Sequence, residues 1–395
     1  MSGLRYLTAG ESHGPMLTGI LEGLPAGLAV DSDSVNEQLA LRQGGYGRGR
    51  RMAIERDQVE FLSGIRFGKT LGSPIALRIA NLDWENWEEK MAVEGEDAGT
   101  HPITLPRPGH ADYAGGVKYG HTGDMRNVLE RASARETAMR VALGSLARIF
   151  LRSFEVAIGS AVVRIGSVVC EDPFGTDYRS IPDLAQVDLS PVRCHDPDAG
   201  EAMKVEVDRA GESGDTLGGE FVLWATGLPI GLGSHIQWDR RLDGRIAQAV
   251  MSIPAVKGVG VGPAFANAGL RGSEVHDAFK RGAGERGDRS VERVTNRAGG
   301  LEGGITNGEP VIVRAAMKPI STLRSPVPSV DLATGDERGA HIERSDVCAV
   351  PAAGVIGEAV LALVLADAFL EKLGGDTIEE VRAAWTRYRE TLPRV

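Results

Sequence analysis

Cysteine is scarce in this sequence, with three residues among 395, and Cys170, Cys194 and Cys348 stand far apart with no Cys-x-x-Cys spacing. That pattern encodes neither a disulfide framework nor a zinc knuckle, and it fits a reducing compartment. None of the eight histidines forms His-x-x-x-His or His-Glu-x-x-His, so no metal is expected. Long apolar runs are missing as well. The longest unbroken one, Ala359 to Ala366, falls short of the roughly 18 residues that suggest a membrane span. Residues 1–11 contain no basic segment leading into an apolar one, so the expectation is an unexported, cytoplasmic protein with no membrane role. Basic charge is in deficit, at a formal net charge of −10, which excludes a general nucleic-acid binder. Any anion it takes should be small and bound locally. Lysine is rare too, 8 residues against 36 arginines. Base composition explains that ratio; where the arginines cluster is more informative, because Arg binds carboxylate and phosphate bidentately.

What is present is an ordinary globular composition, 42% hydrophobic and 25% charged. The 52 glycines are spread through the whole chain and mark no domain boundary. Strands are expected at Val59 to Leu62, Ile75 to Ile79, Val162 to Val169, Lys204 to Val207, Glu220 to Trp224 and Val311 to Ala315. One helix should start at a capping box, Ser34 to Glu37, and run to about Arg42 before Gly44 and Gly45. A second follows the box Ser133 to Glu136, with Ala138, Ala142, Leu146 and Phe150 along one face. The third runs from about Pro351 to Gly374-Gly375. The acidic segment Asp83 to Asp97 reads as a solvated loop. The elements do not alternate as βαβ units, so the fold class is α+β.

Two glycine motifs are set aside. Gly64 to Thr70 has three residues between its glycines where a P-loop needs four, and reads as a turn between strands. Gly258 to Gly262 lacks the G-x-G-x-x-G spacing and runs into Pro263, which disfavours a dinucleotide-binding dehydrogenase. More informative is Arg42 to Arg51, four arginines in a glycine-rich loop after a helix. It reads either as an anion cradle or as a solvated basic turn or oligomer contact. At Ser133 to Glu136, Arg131 and Arg135 crowd a helix start where the macrodipole disfavours cations, so a bound anion is the better reading there. His13 and His110 sit in glycine-flanked segments and are candidates to move protons, with structural hydrogen bonding as the alternative. Arg344-Ser345-Asp346 pairs a cation with a carboxylate that is either a base or half of a surface ion pair.

In this order the segments resemble the chorismate synthase family. The matching stretches are Gly10 to Gly14, Arg42 to Met52, Arg107 to Asp112, Glu130 to Leu146, Ser252 to Gly258, Arg271 to Ser273, Ala298 to Gly308, Lys318 to Thr322 and Arg344 to Pro351. They span the chain from residue 10 to the last expected helix. The resemblance implies a single domain over residues 1–395, a β-α-β sandwich in which antiparallel sheets enclose helices, assembled as a homotetramer. It implies a lyase of the shikimate pathway: 5-enolpyruvylshikimate 3-phosphate loses phosphate and a C6 hydrogen in a 1,4-anti elimination that gives chorismate. Reduced FMN is required, lending electron density to the leaving phosphate and collecting the proton at N5, and some members use NADPH as reductant.

By the same resemblance the catalytic residues are His13 at the departing phosphate, His110 protonating the reduced flavin and Asp346 receiving the proton. The FMN site is expected to hold Arg131, Ala132, Ser133, Pro254, Ala255, Gly303, Lys318, Pro319, Ile320, Ser321, Thr322 and Arg344. The substrate or NADPH site is expected to hold Ser12, Arg42, Arg48, Arg51, Arg107 and Arg135. Arg297 stands where many relatives have histidine, which places one flavin-side contact in question. The competing readings are a flavin- or phosphate-binding protein without catalysis, a nicotinamide-dependent reductase, which would need the missing fingerprint, and an RNA binder built on Arg42 to Arg56.

Overall fold

The computed structural model describes residues 3–49, 56–95, 101–281, 291–343 and 345–392. Strands β1 (Arg5–Ala9) and β2 (Met16–Glu22) open the chain; β2 buries Leu17, Gly19 and Leu21 on one face and exposes Ile20 on the other, as the two-residue period of a strand requires. With β3 (Val59–Phe61) and β4 (Ile75–Ala80) they form an antiparallel sheet in the order β1-β2-β4-β3. A second antiparallel sheet is built from β5 (Ala157–Ile165), β6 (Val168–Val169), β7 (Gly219–Thr226), β8 (Val256–Val261) and β9 (Val311–Met317), in the order β8-β9-β7-β5-β6.

Between the sheets lie the most apolar helices. Of the seven longest helices, α1 (Ser32–Gln43), α2 (Asp112–Tyr119), α3 (Thr137–Arg152), α4 (Pro197–Ser213), α5 (Leu242–Met251), α6 (Val350–Leu373) and α7 (Ile378–Thr391), α3 and α6 form the central layer. The first packs on β2 and β4, the second on β5 and β7, and the two pack on each other. Helix α6 is apolar all round because it is surrounded on all sides, so its passing the length and hydropathy test for a membrane span reflects burial in the core, 89% of that window. Glycine sets the layer spacing: a Cβ on Gly144 of α3 would stand 2.5 Å from the Ala359 carbonyl oxygen of α6. One apolar core runs from Leu17 to Val381 through both sheets, and the arrangement is α+β with helices enclosed by antiparallel sheets.

Several local expectations change. Helix α1 begins two residues earlier than its expected box, because Asp31 is the cap and accepts from the Ser34 N–H at 2.6 Å. Lys204 to Val207 is not a strand but part of α4, whose buried face repeats at Gly200, Met203, Val207 and Ala210, a helical spacing that overrides the β-branched content. Val162 to Val169 is two strands, turned at Gly166 with φ of 55°. Gly64 to Thr70 folds as a two-strand hairpin, and Gly258 to Gly262 lies mostly in β8.

Candidate active site

Loops from distant parts of the chain converge on one cavity of about 1150 Å³ at the ends of α1, α2, α3 and α6. His13 stands in the loop between β1 and β2, buried, with its backbone N–H donating to Glu130 Oε2 at 2.8 Å and its ring Nδ1 2.9 Å from Glu130 Oε1. The ring stacks on Trp87, centroids 3.7 Å apart, and Arg126 lies over the other ring and 3.3 Å from Glu130. Glu130 thus engages Nδ1 and fixes the plane in which the His13 ring lies. Trp87 belongs to the segment read as a solvated loop, and is instead part of the site.

The second histidine is fixed by the residue that begins α2. His110 Nδ1 lies 2.5 Å from Asp112 Oδ1, and Arg107 reaches the same carboxylate through Nε (2.8 Å), Nη2 (3.0 Å) and its backbone N–H (3.1 Å). Burial by itself would raise the Asp112 carboxyl, yet the hydrogen bonds from His110 and Arg107 and the guanidinium charge outweigh it and hold it well below the usual carboxylate range. With an ionised Asp112 as acceptor, His110 carries its proton on Nδ1 and offers Nε2. Arg107 Nη1 donates to Thr322 Oγ1 at 3.1 Å, joining this cluster to the chain after β9.

Arg42 and Arg135 are buried and Arg48 is half-buried. Asp57 takes Arg135 Nη1 at 2.6 and 2.7 Å and lies 3.7 Å from Arg42. Arg42 also donates to Thr137 Oγ1 and the Ala134 carbonyl, while its buried Nη1, the atom nearest Asp57, makes no hydrogen bond among the described residues. Burial, only partly offset by Asp57, lowers Arg42 to about 10, the signature of a desolvated cation short of negative charge. Arg48 donates from Nη1 to Asp346 Oδ2 at 2.6 Å, and the Gly49 N–H to Asp346 Oδ1 at 2.7 Å. Close approach explains the glycines here: a Cβ on Gly47, at φ of 83°, would stand 2.8 Å from Val207 Cγ1. The Gly47 carbonyl accepts from the Val347 N–H, so the arginine loop and the Asp346 segment are tied backbone to backbone. Lys318 donates to the Gly109 carbonyl at 2.9 Å; burial and the neighbouring Lys257 lower it from its ordinary value.

Of the residues expected from the sequence, His13, His110 and Asp346 all line the cavity, as do Ser12, Arg42, Arg48, Arg107, Arg135, Ala132, Ser133, Pro254, Ala255, Lys318, Ile320, Ser321 and Thr322. Three do not. Arg131 turns away and donates to the Thr8 and Gly10 carbonyls, Gly303 sits in a hairpin turn at φ of 59°, and Pro319 stands behind its neighbours. Arg51 and Arg344 lie outside the described residues. The crowding of cations at Ser133 needs no bound anion to explain it, because Arg135 is paired with Asp57 and Arg131 with carbonyls. Arg297 is not among the residues lining the cavity; its guanidinium lies over the Tyr178 ring. Sequence reasoning gave no role to Asp57, Trp87, Glu130 or Asp112; only Asp112 carried a signal, standing two residues after His110. Cys170 and Cys194, well separated in sequence, are neighbours in the fold with His195 beside them.

The chain matches the chorismate synthase family over residues 4–370. It is 58% identical to the chorismate synthase of Desulforudis audaxviator over 390 residues, 98% of each chain, and 55% identical to that of Moorella thermoacetica over 394 residues, 99% of this chain and all of the relative. A crystal structure of a chorismate synthase superposes with a TM-score of 0.80 at 44% identity, covering 99% of both chains. The chain belongs to the chorismate synthase family, the enzymes of the shikimate pathway that form chorismate.

Proposed function

We propose that this cavity eliminates phosphate and a C6 hydrogen from 5-enolpyruvylshikimate 3-phosphate to give chorismate, a lyase reaction run with reduced FMN in the same cavity. The observation that carries the reading is the gathering of three buried guanidiniums, Arg42, Arg107 and Arg135, with two carboxylate-oriented histidines in one enclosure. A substrate with one phosphate and two carboxylates suits that cationic lining, and Arg42 Nη1, 3.7 Å from Asp57 but without a hydrogen bond among the described residues, would gain an acceptor. The enclosure exceeds the roughly 300–1,000 Å³ typical of a site for one small ligand, which leaves room for a flavin nucleotide beside the substrate. Lys318 and Lys257, close enough to depress Lys318, suit the flavin's phosphate, with Ser133, Ala255 and Thr322 along its course.

Reduced FMN, when bound, supplies the electron density that the departing phosphate needs. His13, braced by Glu130 and Trp87, donates from Nε2 to the leaving phosphate. His110, its Nδ1 proton held by Asp112, takes a proton at Nε2 from water and passes it on from the same atom. Asp346, gripped by Arg48 and the Gly49 N–H, offers a carboxylate oxygen to the proton that leaves the substrate. Four copies per assembly belong to the same reading, supported by Leu7 and Ile20, paired across β1 and β2 and both exposed on the sheet's outer face. So do a single domain and a cytoplasmic setting.

The deciding experiment is anaerobic, with purified protein, chemically reduced FMN and the phosphorylated substrate. Equal release of chorismate and phosphate without net flavin oxidation is expected; flavin binding with neither product would support the non-catalytic alternative. Repeating it with oxidised FMN and NADPH shows whether the chain reduces its own flavin.

A further inference from the structure

Away from the cavity, three soft or borderline ligand atoms meet in a place that the elimination does not use. Cys170 directly follows β6, its N–H donating to the Val163 carbonyl at 2.8 Å; Cys194 and His195 end the turn that leads into α4. Their ligand atoms all lie within 4.8 Å of one another, and Cys170 Sγ is 3.6 Å from His195 Nδ1. Bonds of about 2.3 Å to sulfur and about 2.0–2.1 Å to nitrogen at tetrahedral angles place those two atoms about 3.6 Å apart. We propose that Cys170, Cys194 and His195 form a three-ligand site for a zinc ion, with the fourth position open to water.

The surroundings are built to hold these ligands in place. Both thiols are buried, whereas His195 is partly exposed and gives an ion a way in. Arg193, immediately before the ligands, is in the left-handed region at φ of 55°, a conformation unfavourable for a non-glycine residue. It is kept there by its own guanidinium, which pairs with Asp188 and with the buried Glu358 of α6, the latter at 2.9 Å. The turn that presents Cys194 and His195 is therefore anchored to the central helix. On binding, each thiol passes its proton to water as its zinc–sulfur bond forms, with no change of oxidation state. None of the three side chains lines the active cavity, so the ion would brace the β6–α4 junction and take no part in the elimination.

Cobalt(II) is the probe. Added to the full-length, reduced, metal-free protein, it should give one ion's worth of intense visible bands of tetrahedral cobalt and a near-ultraviolet sulfur-to-cobalt band, both discharged by one equivalent of zinc. Cys170→Ser and His195→Asn should each weaken zinc binding at least 100-fold; His195→Asn changes a partly exposed group and keeps the fold testable. Cys348→Ser should change nothing, since that thiol is elsewhere. The proposal is overturned if the wild type shows no sulfur-to-cobalt band while all three thiols titrate as reduced, if the bands survive in Cys170→Ser, or if the Cys170–Cys194 pair is found as a disulfide that resists reduction.

Discussion

Replacing Asp112 by Asn tests whether one buried carboxylate organises half of the active site. Asp112 is fully buried and accepts from four donors, three on Arg107 and one on His110. An asparagine keeps the shape but has one acceptor oxygen, and its NH₂ must face a group that is itself a donor. Arg107, itself buried, would keep Thr322 as its other side-chain acceptor. Breaking a buried pair from one side costs about 3–5 kcal/mol, and the amide oxygen, which still accepts, places this variant toward the lower end. The second effect is chemical: facing an NH₂, His110 Nδ1 becomes the acceptor and the neutral ring carries its proton on Nε2, so it can no longer take a proton there. Turnover should then fall by the roughly 10²–10⁴-fold that a positioned acid–base group contributes. Urea unfolding at pH 7 measures the first effect, and chorismate formation with supplied reduced FMN the second. A stability loss below about 1 kcal/mol together with turnover within about twofold of wild type would refute the role given to Asp112.

The same carboxylate makes a pH prediction. Because its folded value lies below the unfolded value of about 3.9, its contribution is complete above that and is lost as pH falls through the folded value. The stability gap between wild type and Asp112→Asn should stay level from about pH 8 to 5 and shrink in acid; a gap that widens on acidification would contradict the pairing. Gly144→Ala puts a methyl group 2.5 Å from the Ala359 carbonyl oxygen and should cost about 1–3 kcal/mol in thermal or urea unfolding, with no gain from the added helix propensity. Trp87→Ala removes the surface against which His13 stacks; turnover should drop at least tenfold with FMN affinity unchanged, and equal turnover would show that Glu130 alone orients the ring.

The parts of the site legible in the sequence were those that announce themselves locally. Glycine beside arginine at 42–51, and histidine beside glycine at 13 and 110, mark places where backbone approaches a ligand. The partners that make those residues work were not legible, because they come from elsewhere in the chain: Glu130 is 117 residues from His13, Trp87 is 74 from it, and Asp346 is 298 from Arg48. Helix α7 could have been found, since Thr377 and Glu380 form a true capping box. Ser34 to Glu37 offered the same pattern but loses to Asp31, whose carboxylate reaches the same N–H from outside the helix. At Lys204 to Val207 four residues favour a strand, while the seventeen-residue helix containing them is decided by its buried stripe.

The cavity walls are drawn from segments within residues 12–13, 42–49, 107–111, 129–137, 211–216, 253–257, 317–324, 343 and 345–356, nearly the whole length of the chain. Such a site is a report on completed folding. Contacts this distant in sequence make for slow closure, and no segment released early from the ribosome owns enough of the wall to bind a ligand. Activity should therefore return in step with the slowest refolding phase, after secondary structure has already recovered, and the ligands themselves, by neutralising the buried guanidiniums, are the natural chaperones of that last step.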